Sequence, residues 1–291
     1  MDIRRVASST SYSVLEAIFG RQLMWRASRS YYLLARRDGS IRSFTDGELL
    51  VVKSVANWSA SKAQAMVVFD VGANLGLWTG MLAEAITSAG APKAKVYQFE
   101  PAPHLIPALT KTSQTGVPGV EIELAQLALS NKAGKMSFII TGEATGTNHL
   151  VGEDNNDEGS TTEVEVSTVD EYCVAHKIDH IDLLKIDAEG FDIFVIAGAK
   201  RMLEEERISI VQFEYGDLYV RTRSYLLDAF KLVKGTRYKV GRVSNRGIEL
   251  FSEWDGDLER FYSANYVIVH ESARERLPVR DVQYERNHTY K

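Results

Sequence analysis

Residues 66–85 read MVVFDVGANLGLWTGMLAEA. An apolar run, Met66 to Phe69, meets an acid, Asp70. Gly72, Asn74 and Gly76 then follow at alternate positions, after which apolar residues recur with helical period. The segment is a strand, a tight turn and a helix. Glycine at such a turn permits positive φ and lets the backbone approach a ligand with no Cβ between them, while the free amides of the new helix face the same crevice. The turn therefore has the form of a nucleotide-cofactor cradle. The dinucleotide fingerprint needs GxGxxG, whereas here Asn74 takes the second glycine's place, Leu77 the last, and the closing glycine comes one residue early. This argues against NAD.

Downstream, KVYQFEP (95–101) reads as a second strand ending in Glu100. In doubly wound sheets ligands sit over the carboxyl ends of the strands, and an acid roughly 20 residues past the glycine turn reaches the ribose hydroxyls. Glu100 holds that place. A third strand, VEIELAQLALS (120–130), would bring Gln126, Leu127 and Ala128 beside the first two, where an apolar wall with one polar group suits an adenine ring.

A second dense patch runs from Ser167 to Leu203. Thr168 caps a short helix, IDLLKID is a strand, and FDIFVIAGAKRML has helical period. Asp187, Glu189 and Gly190 thus fall at a strand's carboxyl end. The next strand, ISIVQFE (208–214), also ends in an acid, Glu214. Like charges gathered on one rim are costly unless a cation, a ligand or a proton relieves them, which makes Asp187, Glu189 and Glu214 candidate catalytic groups.

Two alternating stretches, 135–141 and 161–168, read as an inserted β-pair flanking an acidic, glycine-rich loop that carries His149, a further catalytic candidate if that loop folds over the site. Strands at 237–243 and 265–270 suit a mainly parallel sheet finished by a reversed edge strand. The expected divisions are a helical extension at 1–64, a catalytic domain at 65–270 and a polar tail at 271–291.

Composition sets the remaining bounds. The 291 residues are 45% hydrophobic and 25% charged, with no apolar run approaching the roughly 20 residues of a membrane span. The expectation is a soluble chain without stable membrane insertion. A net charge of −5 gives no general attraction to nucleic acid, although arginines make the N-terminal part locally basic. The single Cys173 has no internal partner and no signal-peptide pattern is present, which points to a reducing, cytoplasmic setting.

VVFDVGANLG, VYQFEP, STVDEY and IDLLKIDAEGFDIFVIAGA, with QFE and NYVIV behind them, stand in one order. Together they resemble the FkbM family of S-adenosylmethionine-dependent methyltransferases, roughly over 67–269. The resemblance implies an α/β fold of the doubly wound, Rossmann-like class I kind and O-methylation of a hydroxyl on a small molecule, a sugar or natural product. It puts Asp70, Gly72, Asn74 and Gly76 on the cofactor loop, Glu100 on the ribose acid, and Asp187, Glu189 and Gly190 on the family's acid-containing block. S-adenosylmethionine is the implied cofactor. Oxygen ligands of this kind also suit Mg²⁺, and spacing does not separate a metal site from a proton-accepting pair.

Two other readings compete. A silent nucleotide-binding module has the same fold but no need for the acids. A nucleic-acid methyltransferase calls for a broad basic face and an NPPY-like tetrapeptide after the fourth strand, where this chain has KIDAEG.

Overall fold

The computed structural model describes residues 13–36, 47–140, 148–150, 159–244, 246–285 and 289. Most of the acidic loop expected between the inserted strands, 141–147 and 151–158, lies outside them. The chain divides into two compact units, Met1–Ser43 and Phe44–Lys291.

In the first unit, residues 13–19 are helical and α1 spans Arg21–Arg36. The second unit begins with α2 (Glu48–Lys62), followed by β1 (Val67–Val71), α3 (Leu77–Ala89), β2 (Ala94–Phe99), α4 (Ile106–Thr115) and β3 (Val120–Ala125). Next come β4 (Ala128–Leu129), β5 (Gly134–Ile140), β6 (His149–Leu150), β7 (Ser160–Ser167) and α5 (Val169–His176). The centre of the sheet is completed by β8 (Ile181–Ile186), α6 (Asp192–Ala197), α7 (Lys200–Glu204) and β9 (Ile208–Tyr215). After α8 (Leu218–Thr222) and α9 (Leu226–Leu232) the chain forms β10 (Tyr238–Ser244), β11 (Gly247–Phe251), β12 (Ala264–His270) and β13 (Val279–Val282).

Nine strands make one sheet in the order β13-β11-β10-β12-β9-β8-β1-β2-β3. From β3 to β9 every pairing is parallel. Successive side chains of a strand point to opposite faces, so β1 sends Phe69 and Val71 into one core and Val68 into the other. Both faces are covered. The Val68 face packs on Val52 and Val55 of α2 and Leu82 and Ile86 of α3, and the Phe69 face on Tyr172 of α5, Val195 of α6 and Met202 of α7. Continuous apolar strands are what a sheet buried on two sides requires. Thr168 caps α5 as expected, accepting the Glu171 N–H at 3.0 Å.

Three features depart from the expectation. The reversed strand is β12, but it lies inside the sheet, antiparallel to both β9 and β10, with β11 and β13 beyond. The inserted pair β5–β7 recruits β4 and β6 into a separate four-stranded sheet. Residues expected as a polar tail contribute β13, paired with β11, because Leu277 and Val279 complete the apolar cover on one face of the sheet and Val282 on the other. No described helix is long and apolar enough to cross a membrane.

Candidate active site

The glycine turn is hung between neighbouring strands. At the end of β1, Gly72 and Ala73 donate their N–H groups to the Phe99 carbonyl of β2 at 2.9 and 3.1 Å, while Asp187 N–H donates to Val71 at 3.0 Å. Gly72 sits at φ 76°, and a Cβ there would lie 2.0 Å from the Asp187 carbonyl oxygen. Only glycine allows β1 and β8 to end so close together. Asn74, also left-handed at φ 48°, is a side chain that tolerates this conformation through its short polar group.

Beneath the turn lies a sealed polar group. Asp70 is fully buried and accepts from Thr79 Oγ1 at 2.7 Å, and Thr79 accepts from Gln98 Nε2 at 2.8 Å. Lys185, its register partner on β8, places Nζ 3.5 Å from Asp70 Oδ1, 3.5 Å from Asp187 Oδ2 and 5.8 Å from the Trp78 ring centre. Burial lowers the lysine pKa, but Asp187, Asp70 and Glu48 together raise it above its ordinary value. Asp70, expected on the cofactor loop, therefore supports that loop from below and does not line the cleft.

Glu100 spans the other side of the turn. Its Oε2 accepts Asn74 N–H at 2.8 Å and its Oε1 accepts Ala102 N–H at 2.9 Å. Burial raises its pKa, and these two amides pull it back. Each oxygen keeps a further lone pair for a ligand hydroxyl. Glu100 lines a cleft open to solvent, together with Gly72, Pro101, Leu129, His149, Asp187 and Ala188. Its left-handed glycine turn, its apolar Leu129 and Phe138 lining and its carboxylate are a donor set that fits a nucleoside-bearing cofactor.

The parallel pairing of β8 and β9 delivers the three expected acids to one rim. Burial first, then Asp187 and Glu214, push the Glu189 carboxyl up to about 8. Glu189 is also held left-handed at φ 50°, directly before Gly190 at φ 92°. Strain of this kind in a non-glycine residue belongs to sites where the surrounding structure over-determines the backbone. Glu214 keeps an exposed edge and accepts from Ser263 Oγ at 2.5 Å, yet the protein crowded round its carboxyl, with Asp187, raises its pKa.

Two acids joined to this rim were missed in the sequence. Asp192, in the first turn of α6, accepts Gly190 N–H and Glu214 N–H, each at 3.3 Å, and burial with Asp187 and Glu214 pushes it up to about 8. Glu48, in the first turn of α2, is pushed up to about 7 by burial, against Lys185, with Asp187, Glu214 and Asp70 adding to the rise. A Cβ on Gly47 would come within 3.1 Å of Val243 Cγ1 and 3.3 Å of Asn265 Cβ, and Asn265 is the register partner of Glu214. The close approach at Gly47 is what carries Glu48 to the rim. Among the described residues no group of three or more His, Cys, Asp or Glu is placed to hold a metal ion.

His149 lies on β6, paired with Ile139, and faces the same cleft as Glu100 and Asp187. Gln126 and Leu127 are not brought there. Gln126 is exposed and Leu127 packs on the core, because the chain turns after Ala125, with Leu127 N–H donating to Ala125 at 3.0 Å; of the three residues expected there Ala128 lines the cleft, with Leu129 beside it on β4. The missed Lys185 had a signal: it is the one cation in a strand, IDLLKI, that is buried throughout. Asp192 had one in its place two residues after Gly190. Glu48 had none.

A family model described as the methyltransferase FkbM domain matches residues 70–239. The hexuronic acid methyltransferase AglP of Haloferax volcanii is 31% identical over 150 residues, 52% of this chain and 56% of that protein. The 2-O-methyltransferase NoeI of Sinorhizobium fredii is 28% identical over 160 residues, 49% of this chain and 65% of that protein. The chain thus spans little more than half to just under two thirds of these relatives' lengths. Among solved structures, the methyltransferase FkbM of Methylobacillus flagellatus aligns with a TM-score of 0.42 and 15% identity, over 70% of this chain and 43% of that one.

Proposed function

The chain belongs to the FkbM methyltransferase family, and on that premise we propose that it moves the methyl group of S-adenosylmethionine to a hydroxyl oxygen of a sugar or sugar-like small molecule. One observation carries the reading: Gly72, Glu100 and Asp187 line a single cleft. The printed names of the two relatives, for hexuronic acid methylation and 2-O-methylation, support a sugar hydroxyl as the acceptor class.

When bound, the cofactor supplies an electrophilic methyl group on a sulfonium. The residues of the chain have three tasks. Glu100 accepts from ribose hydroxyls with its remaining lone pairs, while Asn74 and Ala102 fix its carboxylate. The walls of the cleft, Leu129 and Phe138 among them, hold the nucleoside by burial. Asp187, Glu189 and Glu214 orient the acceptor hydroxyl and take its proton as the oxygen–carbon bond forms and the sulfur–carbon bond breaks. A carboxyl raised to about 8 is a stronger base than an ordinary one and is matched to neutral or mildly alkaline solution. This reading needs no divalent ion, and His149 is a second proton acceptor facing the same cleft.

Incubation of the protein with methyl-labelled S-adenosylmethionine and a panel of hexuronic acids, hexoses and their glycosides tests it. Label recovered as an O-methyl ether is the expected result. Cofactor binding without transfer to any hydroxyl compound, in the panel or in a cell extract, would mark a silent binding module instead.

A further inference from the structure

The helix α1 turns an apolar stripe to solvent. Leu23, Ala27, Tyr31 and Leu34 follow at i, i+4, i+8 and i+11, so they share one side, and none of the residues of α1 is buried. Leu23, Tyr31 and Leu34 are 57%, 74% and 73% exposed. Arg21, Arg29 and Arg36 recur at i, i+8 and i+15 on the opposite side, with Arg26 on the flank, and the helix contains no Asp or Glu. In a chain of net charge −5 this is a local inversion of sign.

The two faces select different surroundings at the same time. An arginine-rich face wants anions, and a continuous stripe of large apolar groups wants to leave water. Low mean hydropathy with an apolar stripe opposite the arginine side is the form of a helix that lies in the plane of a lipid–water boundary. Nucleic acid would satisfy the arginines, and Trp25 and Tyr32 among them can stack on bases, but Leu23 and Leu34 would stay in water. A second copy would cover the stripe while bringing two sets of like charges together.

We propose that α1 docks the protein on an anionic lipid surface, with Leu23, Ala27, Tyr31 and Leu34 in the acyl boundary and the arginines toward the headgroup phosphates. The surface belongs to a segment outside the residues matched by the family model. It brings an enzyme without a membrane-crossing helix among its described residues to a membrane by adsorption alone.

Co-sedimentation of the full chain with vesicles of phosphatidylcholine, with and without phosphatidylserine, tests the proposal. The protein is expected to pellet with the anionic vesicles, to stay in solution with the neutral ones, and to be released by high salt. Arg21→Gln and Arg29→Gln should each lower partitioning roughly fivefold, and Leu34→Ser about tenfold or more. Far-UV circular dichroism shows whether Leu34→Ser keeps its helix; if it does not, the arginine variants, which keep the stripe, decide the matter. Equal behaviour on both vesicle types, or partitioning indifferent to all three substitutions, overturns the proposal. So does binding to a single-stranded oligonucleotide in place of vesicles, or a dimer mass by light scattering that Leu34→Ser returns to monomer.

Discussion

Lys185 and Asp70 face each other across paired strands, Nζ and Oδ1 3.5 Å apart, with both side chains cut off from solvent. The pair ties the strand under the cofactor turn to the strand that bears the acid rim, since the same ammonium also reaches Asp187. Replacing Lys185 by Met leaves Asp70 as a buried charge with no cation beside it, which should cost about 3–5 kcal/mol in urea denaturation. Adding Asp70→Asn should restore much of that loss. Additive losses in the double variant would show that the two side chains do not stabilise each other.

Glu100→Gln keeps the volume of the side chain but turns one of its two acceptors into a donor, so either Asn74 N–H or Ala102 N–H loses its partner. A hydrogen bond to a charged group is worth about 1.5–3 kcal/mol, and calorimetry should therefore record a fall of about tenfold to a hundredfold in S-adenosylmethionine affinity. Unchanged affinity would remove Glu100 from the cofactor site.

Glu189 and Asp192 are held at about 8 and Glu48 at about 7, against ordinary values of 4.5 for Glu and 3.8 for Asp. Between those values the folded chain keeps protons that the unfolded chain has released, so stability falls as pH rises. Their contribution is whole below about pH 4 and is lost progressively up to about pH 8. Glu206 and Asp281, held at about 2 by Arg237 and by Arg274 with Lys239, act in the opposite sense, but only below their own ordinary values. The denaturation midpoint should then decline from pH 5 to pH 8, and Glu189→Gln should flatten the decline. A midpoint that climbs over that range contradicts the burial of these carboxyls.

Activity should run the other way. A base must shed its proton before it can accept one, so kcat/KM is expected to rise with pH toward an apparent value near 8 that belongs to the coupled acids as a set. Glu189→Gln and Glu214→Gln should retain cofactor binding while turnover drops by about 10²-fold or more. Added chelator should change nothing. Full turnover by both variants would leave His149 as the group to examine, and chelator-sensitive turnover would bring a divalent ion back.

Gly72→Ala and Gly90→Ala compare two glycines of like φ, 76° and 66°. At Gly90 nothing lies within 4 Å of the added methyl, so the cost is the left-handed strain of about 1–2 kcal/mol. At Gly72 the same methyl would press on the Asp187 carbonyl, and a clearly larger loss is expected, together with loss of cofactor binding. Equal losses would mean that the close approach of β1 and β8 is not needed.

Much of this is legible in the sequence alone. Asp70, the alternating small residues after it and Glu100 follow from local backbone needs, and strand–turn–helix order is local information. The convergence of Asp187, Glu189 and Glu214 was legible because parallel strands put their carboxyl ends on one edge. Contacts decided by distant packing were not. Glu48 reaches the rim only because Gly47 fits against Val243 and Asn265, some two hundred residues away in the chain. The burial of Asp70 and the exposure of Gln126 are not legible either: position in the chain tells where they stand but not whether a neighbouring layer seals one and a turn exposes the other.

The place of β12 between β9 and β10 also has a consequence for synthesis. Both flanking strands leave the ribosome first, and the slot between them is filled by a segment that is translated later, so the half of the sheet beyond β9 cannot close until Ala264–His270 has emerged. Until then the nascent chain presents the bare edge of β9, whose residues Ile208 to Phe213 are apolar or buried in the finished protein. An unpaired apolar edge is a template for association with other chains. Chains stalled or truncated before Ala264 are therefore the form of this protein that a chaperone must hold.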